Sequence, residues 1–159
     1  MKTKLALLAL ILWLTGSAFQ LFAQKRLTPE VVGEFGTKIF NHDKDSVFRA
    51  VKAVLISHDY LIDIENPAKG IIKTRKKDIG ASGSATYGIN SSSSQIRSNY
   101  RQYNVMMDEL EKGKIKVVIV PKIFVGDADL SDEKVWVLKG PAGEIKLWET
   151  LFKEIGEML

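Results

Sequence analysis

The densest group of side chains suited to ligand binding is a basic run near the middle of the chain. Its members are Lys73, Arg75, Lys76 and Lys77. Arg97 and Arg101 join this run if the strands that flank residues 80–99 pair, and together they would contact lipid headgroups or an acidic partner. The other interpretation is a charged sheet edge that prevents aggregation. We take Arg75, Lys76 and Lys77 as candidate binding residues.

Residues 80–99 are rich in glycine and serine and show no steady apolar period. Loops of this length inside a compact domain are uncommon, and they are either functional or disordered. One interpretation is a flexible hairpin loop, because so polar a segment buries too little surface to offset its ordering entropy. The other is a mobile loop over a binding surface, with Tyr87 and Ile89 as contacts. Tyr87 is therefore the fourth candidate binding residue.

Residue types that often carry catalysis or bind metals form no constellation in this sequence. His42 and His58 each precede an aspartate, but they flank opposite ends of one predicted helix, on the order of 20 Å apart. A catalytic zinc needs three protein ligands around one point. No serine lies in a G-x-S-x-G motif, and no glycine pattern matches a phosphate-binding loop. We expect neither enzymatic activity nor a metal or cofactor.

An acidic stretch near residue 130 resembles a calcium loop only in part. Its carboxylates are Asp127, Asp129, Asp132 and Glu133. Counted from Asp127, the sixth position is Asp132 where a calcium loop needs glycine, and the twelfth is Leu138 where it needs glutamate. We interpret the stretch as a solvated turn.

The first 23 residues have the three-part order of a secretory signal peptide. Lys2 and Lys4 give a positive start, residues 5–14 are apolar, and small residues follow. Cleavage is expected after Ala23, with Ala18 as the alternative. After either cut, no apolar stretch long enough to span a membrane remains. The mature protein is predicted to be periplasmic or secreted.

Charge and cysteine content narrow the partners of the mature chain. Lys2 and Lys4 leave with the signal peptide, so 21 basic residues face 19 acidic ones and the net charge is +2. General nucleic-acid binding is therefore not expected. The sequence has no cysteine, which excludes disulfides and a lipid-modified N-terminal cysteine. An envelope protein or an anionic surface remains the expected partner, and the oligomeric state stays open.

The mature chain is predicted to consist of an N-terminal arm, residues 24–36, and one α+β domain, residues 37–159. Apolar stripes predict helices over residues 44–58 and from about residue 144 to the end. Pro121 is expected to end or bulge its strand, and residues 116–120 indicate a central strand covered on both faces. Short connections favour an antiparallel meander of about five strands with both helices on one face. The predicted strands are residues 37–40, 60–65, 71–77, 100–110, 115–124 and 134–138.

Residues 47–74 combine an amphipathic helix, the apolar strand of "HDYLIDI" and the turn and strand of "NPAKGIIKT". This order resembles small bacterial envelope proteins with a helix-grip-like domain. It is similar in particular to the accessory lipoproteins of the outer-membrane barrel-assembly machinery, although their cysteine is absent here. The resemblance implies a non-enzymatic binding or assembly role and transfers no site residues.

The sequence therefore predicts an exported binding or assembly module of the cell envelope, which uses an open sheet face or the serine-rich segment. A small periplasmic hydrolase with an unrecognised active site is the alternative.

Overall fold

The computed structural model describes residues 24–88, 91–131, 135–137 and 143–159. The predicted signal peptide lies outside these residues, as do Ile89, Asp132 and Glu133. Within the described part of the chain, no helix is both long enough and apolar enough to cross a membrane.

The segment predicted to be an arm contains regular structure instead. Strand β1 (Gln24–Arg26) is followed by helix α1 (Pro29–Phe35). The Thr28 side chain caps this helix by accepting a hydrogen bond from the Val31 N–H at 3.5 Å. Pro29 supplies a φ angle already suited to a first helical turn. Sequence periodicity did not indicate α1 because seven residues are too few to show an apolar stripe.

Strand β2 (Thr37–Phe40) leads to helix α2 (Lys44–Ser57), which confirms the first predicted helix. The Asp43 carboxylate caps α2 by accepting a hydrogen bond from the Ser46 N–H at 2.9 Å. The helix ends at His58, and Asp59 then adopts a φ of 60° that turns the chain toward the next strand. The capping residue and the apolar stripe together fix both ends of this element.

Strands β3 (Ile62–Asn66) and β4 (Ile71–Thr74) form the predicted hairpin. Its turn requires a glycine at position 70, where φ is 66° and an added Cβ would collide with the Met107 carbonyl oxygen. The Gly70 carbonyl accepts a hydrogen bond from the Met107 N–H at 2.8 Å. This contact holds the hairpin turn against the neighbouring strand.

The prediction of a loop over residues 80–99 is wrong, because strands β5 (Lys77–Gly88) and β6 (Ser91–Glu111) cover most of it. The two strands pair antiparallel from Lys77 opposite Arg101 to Gly88 opposite Ser91. Antiparallel pairing depends on backbone hydrogen bonds and not on side chains. The apolar part of β6 is fixed in the sheet, and the hydrogen bonds to β5 continue from it into the serine-rich part of the strand. Neither the composition nor the spacing of apolar residues predicts that the two strands continue in this way.

Strand β7 (Lys114–Val125) pairs with β6, and β8 (Ala128–Asp129) pairs with the end of β7. The expected break at Pro121 does not occur, since Pro121 stays in register opposite Tyr103. The Ile119 N–H points away from β6 and donates to the Gly36 carbonyl at 2.8 Å. The Pro121 nitrogen, two residues later, faces the same side, beyond the last β7 residue that pairs with β2. The ladder to β6 therefore loses no hydrogen bond.

The remaining described elements are β9 (Val135–Val137), which pairs with β1, and helix α3 (Glu144–Glu157). The main sheet has the order β2-β7-β6-β4-β3, with β5 paired to β6. Every pairing is antiparallel, and β3, β4, β6 and β7 follow one another as a meander. The structure is thus α+β with an open antiparallel sheet, which confirms the predicted fold class and adds α1 to it.

Helices α2 and α3 pack on one side of this sheet, which we call the covered face. The core there is built from strand residues at alternate positions and from the stripes of both helices. Trp148 of α3 is fully buried, and its indole N–H donates to the Ile119 carbonyl at 3.1 Å. The buried members from the strands are Ile72, Tyr103, Val105, Met107, Ile115, Val117 and Ile119.

Candidate functional site

The side of the sheet opposite α2 and α3, which we call the open face, carries an apolar row although no described helix packs on its centre. Three strands carry doublets of identical apolar residues: Ile71 and Ile72, Met106 and Met107, Val117 and Val118. Ile72, Met107 and Val117 are at most 1% exposed on the covered face. Their neighbours point the other way, and Met106 is 46% exposed.

The open-face members of the doublets lie side by side across the sheet. Ile71 is in register with Met106, and Met106 is in register with Val118. They form one apolar row across three strands, and Val120 continues it along β7. The prediction that residues 116–120 are covered on both faces is therefore wrong for the described chain. A continuous apolar run does not say whether the second face is covered by the protein itself.

A cavity of about 450 Å³, which we call the groove, opens where α1 meets this row. Val32 and Gly33 of α1 form one wall, and Met106, Val118 and Val120 lie on the side of the sheet. The full lining of the groove is Leu27, Thr28, Pro29, Val32, Gly33, Thr37, Met106, Val118, Val120, Pro121, Lys122 and Ser131.

The polar side chains that line the groove are engaged within the chain. Thr28 accepts from the Val31 N–H, and the Thr37 hydroxyl donates to the Val32 carbonyl at 3.0 Å. Lys122 donates to an Asp129 carboxylate oxygen at 2.8 Å. The Ser131 hydroxyl donates to the other Asp129 oxygen and accepts from the Ile123 N–H. What the groove offers a ligand is chiefly hydrocarbon contact.

Within the acidic stretch, Asp129 has a clear structural role. Hydrogen bonds from Lys122 and Ser131 hold the pKa of its carboxyl at about 2. Both carboxylate oxygens already have partners inside the chain. Among the described residues, no three histidine or acidic side chains are grouped so that they could hold a metal ion. Asp129 therefore fixes one end of the groove.

The basic run is divided between the two faces of the sheet. Lys77 lies opposite Arg101, as the pairing of the flanking strands requires. Its ammonium donates to the His58 carbonyl at 2.7 Å and lies 4.9 Å from the centre of the Tyr60 ring, on the covered face. The ammonium of Lys76 lies 3.9 Å from the centre of the Phe124 ring instead. Alternation along the strands places Phe124 on the open face.

These placements do not bring the candidate cations into one surface. The Arg75 side chain is exposed, and the Arg75 N–H donates to the Leu61 carbonyl at 2.7 Å. Lys76 and Lys77 each cover an aromatic ring, which is a stabilising contact in its own right. Tyr87 pairs with Ser92 in the β5–β6 ladder, but its side chain lies outside the described residues. Anion binding at Arg75, Lys76, Lys77 and Tyr87 stays a prediction.

A second polar feature, buried on the covered face, was missed in the sequence. Arg101 of β6 lies 3.1 Å from a carboxylate oxygen of Glu144 at the start of α3, and the Tyr103 hydroxyl donates to the other oxygen at 3.0 Å. The Arg101–Glu144 contact is an ion pair, and the Glu144 oxygen that faces Arg101 has no hydrogen-bond partner among the described residues. Glu144 lies on the apolar stripe of α3, four residues before Trp148, which was the available signal.

Burial dominates the electrostatics of this cluster. Burial raises the pKa of the Glu144 carboxyl, although Arg101 and the Tyr103 hydroxyl both act to lower it. Burial also raises the pKa of Tyr103 well above its ordinary value. Burial acts to lower the pKa of Arg101, but the combined attraction of Glu144, Tyr103 and Tyr60 leaves that pKa raised, so Arg101 stays charged. The cluster joins α3 to β6 and favours a structural role, since its members contact one another.

The two histidines have separate environments. His42 is exposed in the connection before α2, whereas the His58 ring lies 2.7 Å from a Glu154 carboxylate oxygen of α3. His58 therefore links the two helices of the covered face. The two histidines flank opposite ends of α2, as the sequence predicted.

Comparisons with known proteins give a structural similarity at low sequence identity. No protein-family model matches the chain, and no curated protein matches it. Among solved structures, the chain is similar to a DUF4468 family protein from Bacteroides ovatus, with 10% sequence identity and a TM-score of 0.41. The similarity covers 77% of this chain and 83% of that one.

Proposed function

We propose that this chain is an exported, non-enzymatic binding module of the bacterial cell envelope, and that the groove binds an uncharged hydrocarbon chain. The observation that carries the proposal is the combination of apolar walls with polar side chains that are already hydrogen-bonded. A volume of about 450 Å³ falls within the range of roughly 300–1,000 Å³ that is usual for small-molecule sites.

The chemistry of the lining favours a lipid-like chain over a peptide. A bound peptide would bring backbone N–H and C=O groups, which cost free energy when they are buried without partners. The polar side chains around the groove are engaged with Val31, Val32, Ile123 and Asp129. An alkyl chain needs none of them. Met106 adds a flexible, polarisable wall that adapts to such a chain.

The affinity of the purified protein for a neutral apolar probe tests the groove. N-phenylnaphthylamine, which fluoresces in apolar surroundings, is expected to bind and to be displaced by dodecanol. The Met106→Gln variant keeps the length of the side chain but makes the groove wall polar, and we expect it to bind the probe about tenfold more weakly. Met158→Gln is the matched control, because Met158 is also exposed but lies at the end of α3, outside the groove.

Three results would contradict the binding of a hydrocarbon chain in the groove. One is the absence of probe binding by the wild-type protein. Another is an equal loss of affinity in Met106→Gln and Met158→Gln. The third is displacement of the probe by a soluble apolar peptide but not by dodecanol.

Export is a separate part of the proposal and has its own test. The positive start and the apolar residues 5–14 support it. N-terminal sequencing of the protein from its native host is expected to begin at Gln24, or at Phe19 with the alternative cut. A protein that begins at Met1 would contradict export while leaving the groove untouched.

A further inference from the structure

The hairpin of β5 and β6 extends beyond the rest of the sheet. The β6–β7 ladder reaches its end at Asn99 opposite Val125, whereas the β5–β6 ladder continues to Gly88 opposite Ser91. Within the described chain, β5 pairs with β6 alone. One edge of β5 therefore presents backbone donors and acceptors that no described strand pairs with over residues 81–88, roughly 26 Å at the usual rise per residue.

The strands at the two ends of the main sheet, β2 and β3, carry features that discourage pairing with a further strand. Strand β2 is four residues long and includes Lys38. Strand β3 has an irregular register between Ile62 and Ile64 and carries Asp63 and Glu65. Short length, charge and bulges are the devices by which proteins protect sheet edges.

The β5 edge lacks these devices beyond its base. Its register irregularity lies between Asp78 and Ala81, before the extended part begins. From Ile79 to Ile96 the sequence contains no charged residue and no proline. Ile96 is 78% exposed on this hairpin. A two-stranded hairpin in water is at best marginally stable, so a further strand on this edge would stabilise it.

We propose that the β5 edge is an interface between two copies of this chain, which pair antiparallel across a twofold axis into a four-stranded ribbon. Antiparallel self-pairing across a twofold axis places the residues near the axis opposite their own copies, so a charge there would meet a like charge, which is destabilising. The absence of charge from 79 to 96 removes that penalty. It also leaves no charge pattern that would select a different partner.

Sedimentation velocity over a range of concentrations tests this interface. The wild-type protein is expected to form a dimer that dissociates on dilution. Ala85→Lys, which places a charge in the middle of the edge, is expected to raise the dimer dissociation constant at least about tenfold. Ala68→Lys adds the same charge at an exposed turn position between β3 and β4 and should leave the dimer intact.

The same variants distinguish loss of the interface from loss of the fold or of the groove. Ala85→Lys should keep the far-UV circular dichroism spectrum of the wild-type protein, which shows that the domain is folded whether or not the groove binds the probe. A wild-type protein that stays monomeric at every concentration would overturn the proposal. This holds even if the β5 edge of that monomer binds an extended peptide. A dimer that is equally strong in Ala85→Lys would also overturn it.

Discussion

The covered and open faces of the same sheet use the same residue types in opposite ways. At positions 71–72, 106–107 and 117–118 the chain repeats an apolar residue, so each face receives one copy. Met107 is 1% exposed on the covered face and Met106 is 46% exposed on the open one. The covered copies stabilise the fold, whereas the partly exposed apolar row on the open face has the kind of surface on which the proposed binding rests.

The ion pairs of the two faces also differ in how far their side chains are exposed. Arg101 and Glu144 form a pair on the covered face, with side chains 14% and 0% exposed. Lys122 and Asp129 form a pair at the edge of the groove, where both side chains are 39% exposed. Buried charges depend on their partners far more than solvated ones do. The buried, partner-dependent charges therefore lie on one face and the proposed binding surface lies on the other.

The largest expected contrast is between the adjacent isoleucines of β4. Ile72→Ala should lower the free energy of unfolding by about 4 kcal/mol, because it leaves a cavity in a fully enclosed site. Ile71→Ala should lower it by less than about 1 kcal/mol, since that side chain is already in contact with water. Urea denaturation of both variants measures the difference. Equal losses would mean that the two faces are not distinct in packing.

A smaller contrast is expected between the two ion pairs. Arg101→Met should lower the free energy of unfolding by about 2–3 kcal/mol at pH 8, because the Glu144 carboxylate would remain buried without its countercharge. Lys122→Met, the matched control, should cost less than about 1 kcal/mol. Urea denaturation again gives both values, and a loss in Lys122→Met as large as that in Arg101→Met would contradict the contrast.

The loss in Arg101→Met should also depend on pH. A carboxyl whose pKa is raised in the folded state contributes stability below its unfolded pKa, and this contribution is lost as the pH rises through the folded value. Removing Arg101 takes away an attraction that lowers the pKa of Glu144 and therefore strengthens this trend. The defect should shrink near pH 4, where Glu144 is protonated. A defect that does not change with pH would contradict this assignment of charge.

The elements that the sequence predicted well are those whose signal is local. The apolar stripes of α2 and α3 and the turn at Gly70 follow from spacing and from one required backbone angle. An open sheet face was predicted from the two helix stripes, but the apolar row on it was not, because an apolar run has the same appearance whether its second side is covered or exposed. The extended β5–β6 hairpin was missed because backbone pairing, and not its glycine and serine side chains, forms it.

Methionine methyl NMR gives the most direct test of hydrocarbon binding on the open face. Methyl-labelled methionine places reporters at Met106 in the groove, at Met107 on the covered face and at Met158 at the end of α3. On titration with dodecanol, the Met106 signal should shift the most, Met107 weakly, and Met158 not at all. An unchanged Met106 signal, or an equal shift at Met158, would contradict binding in the groove.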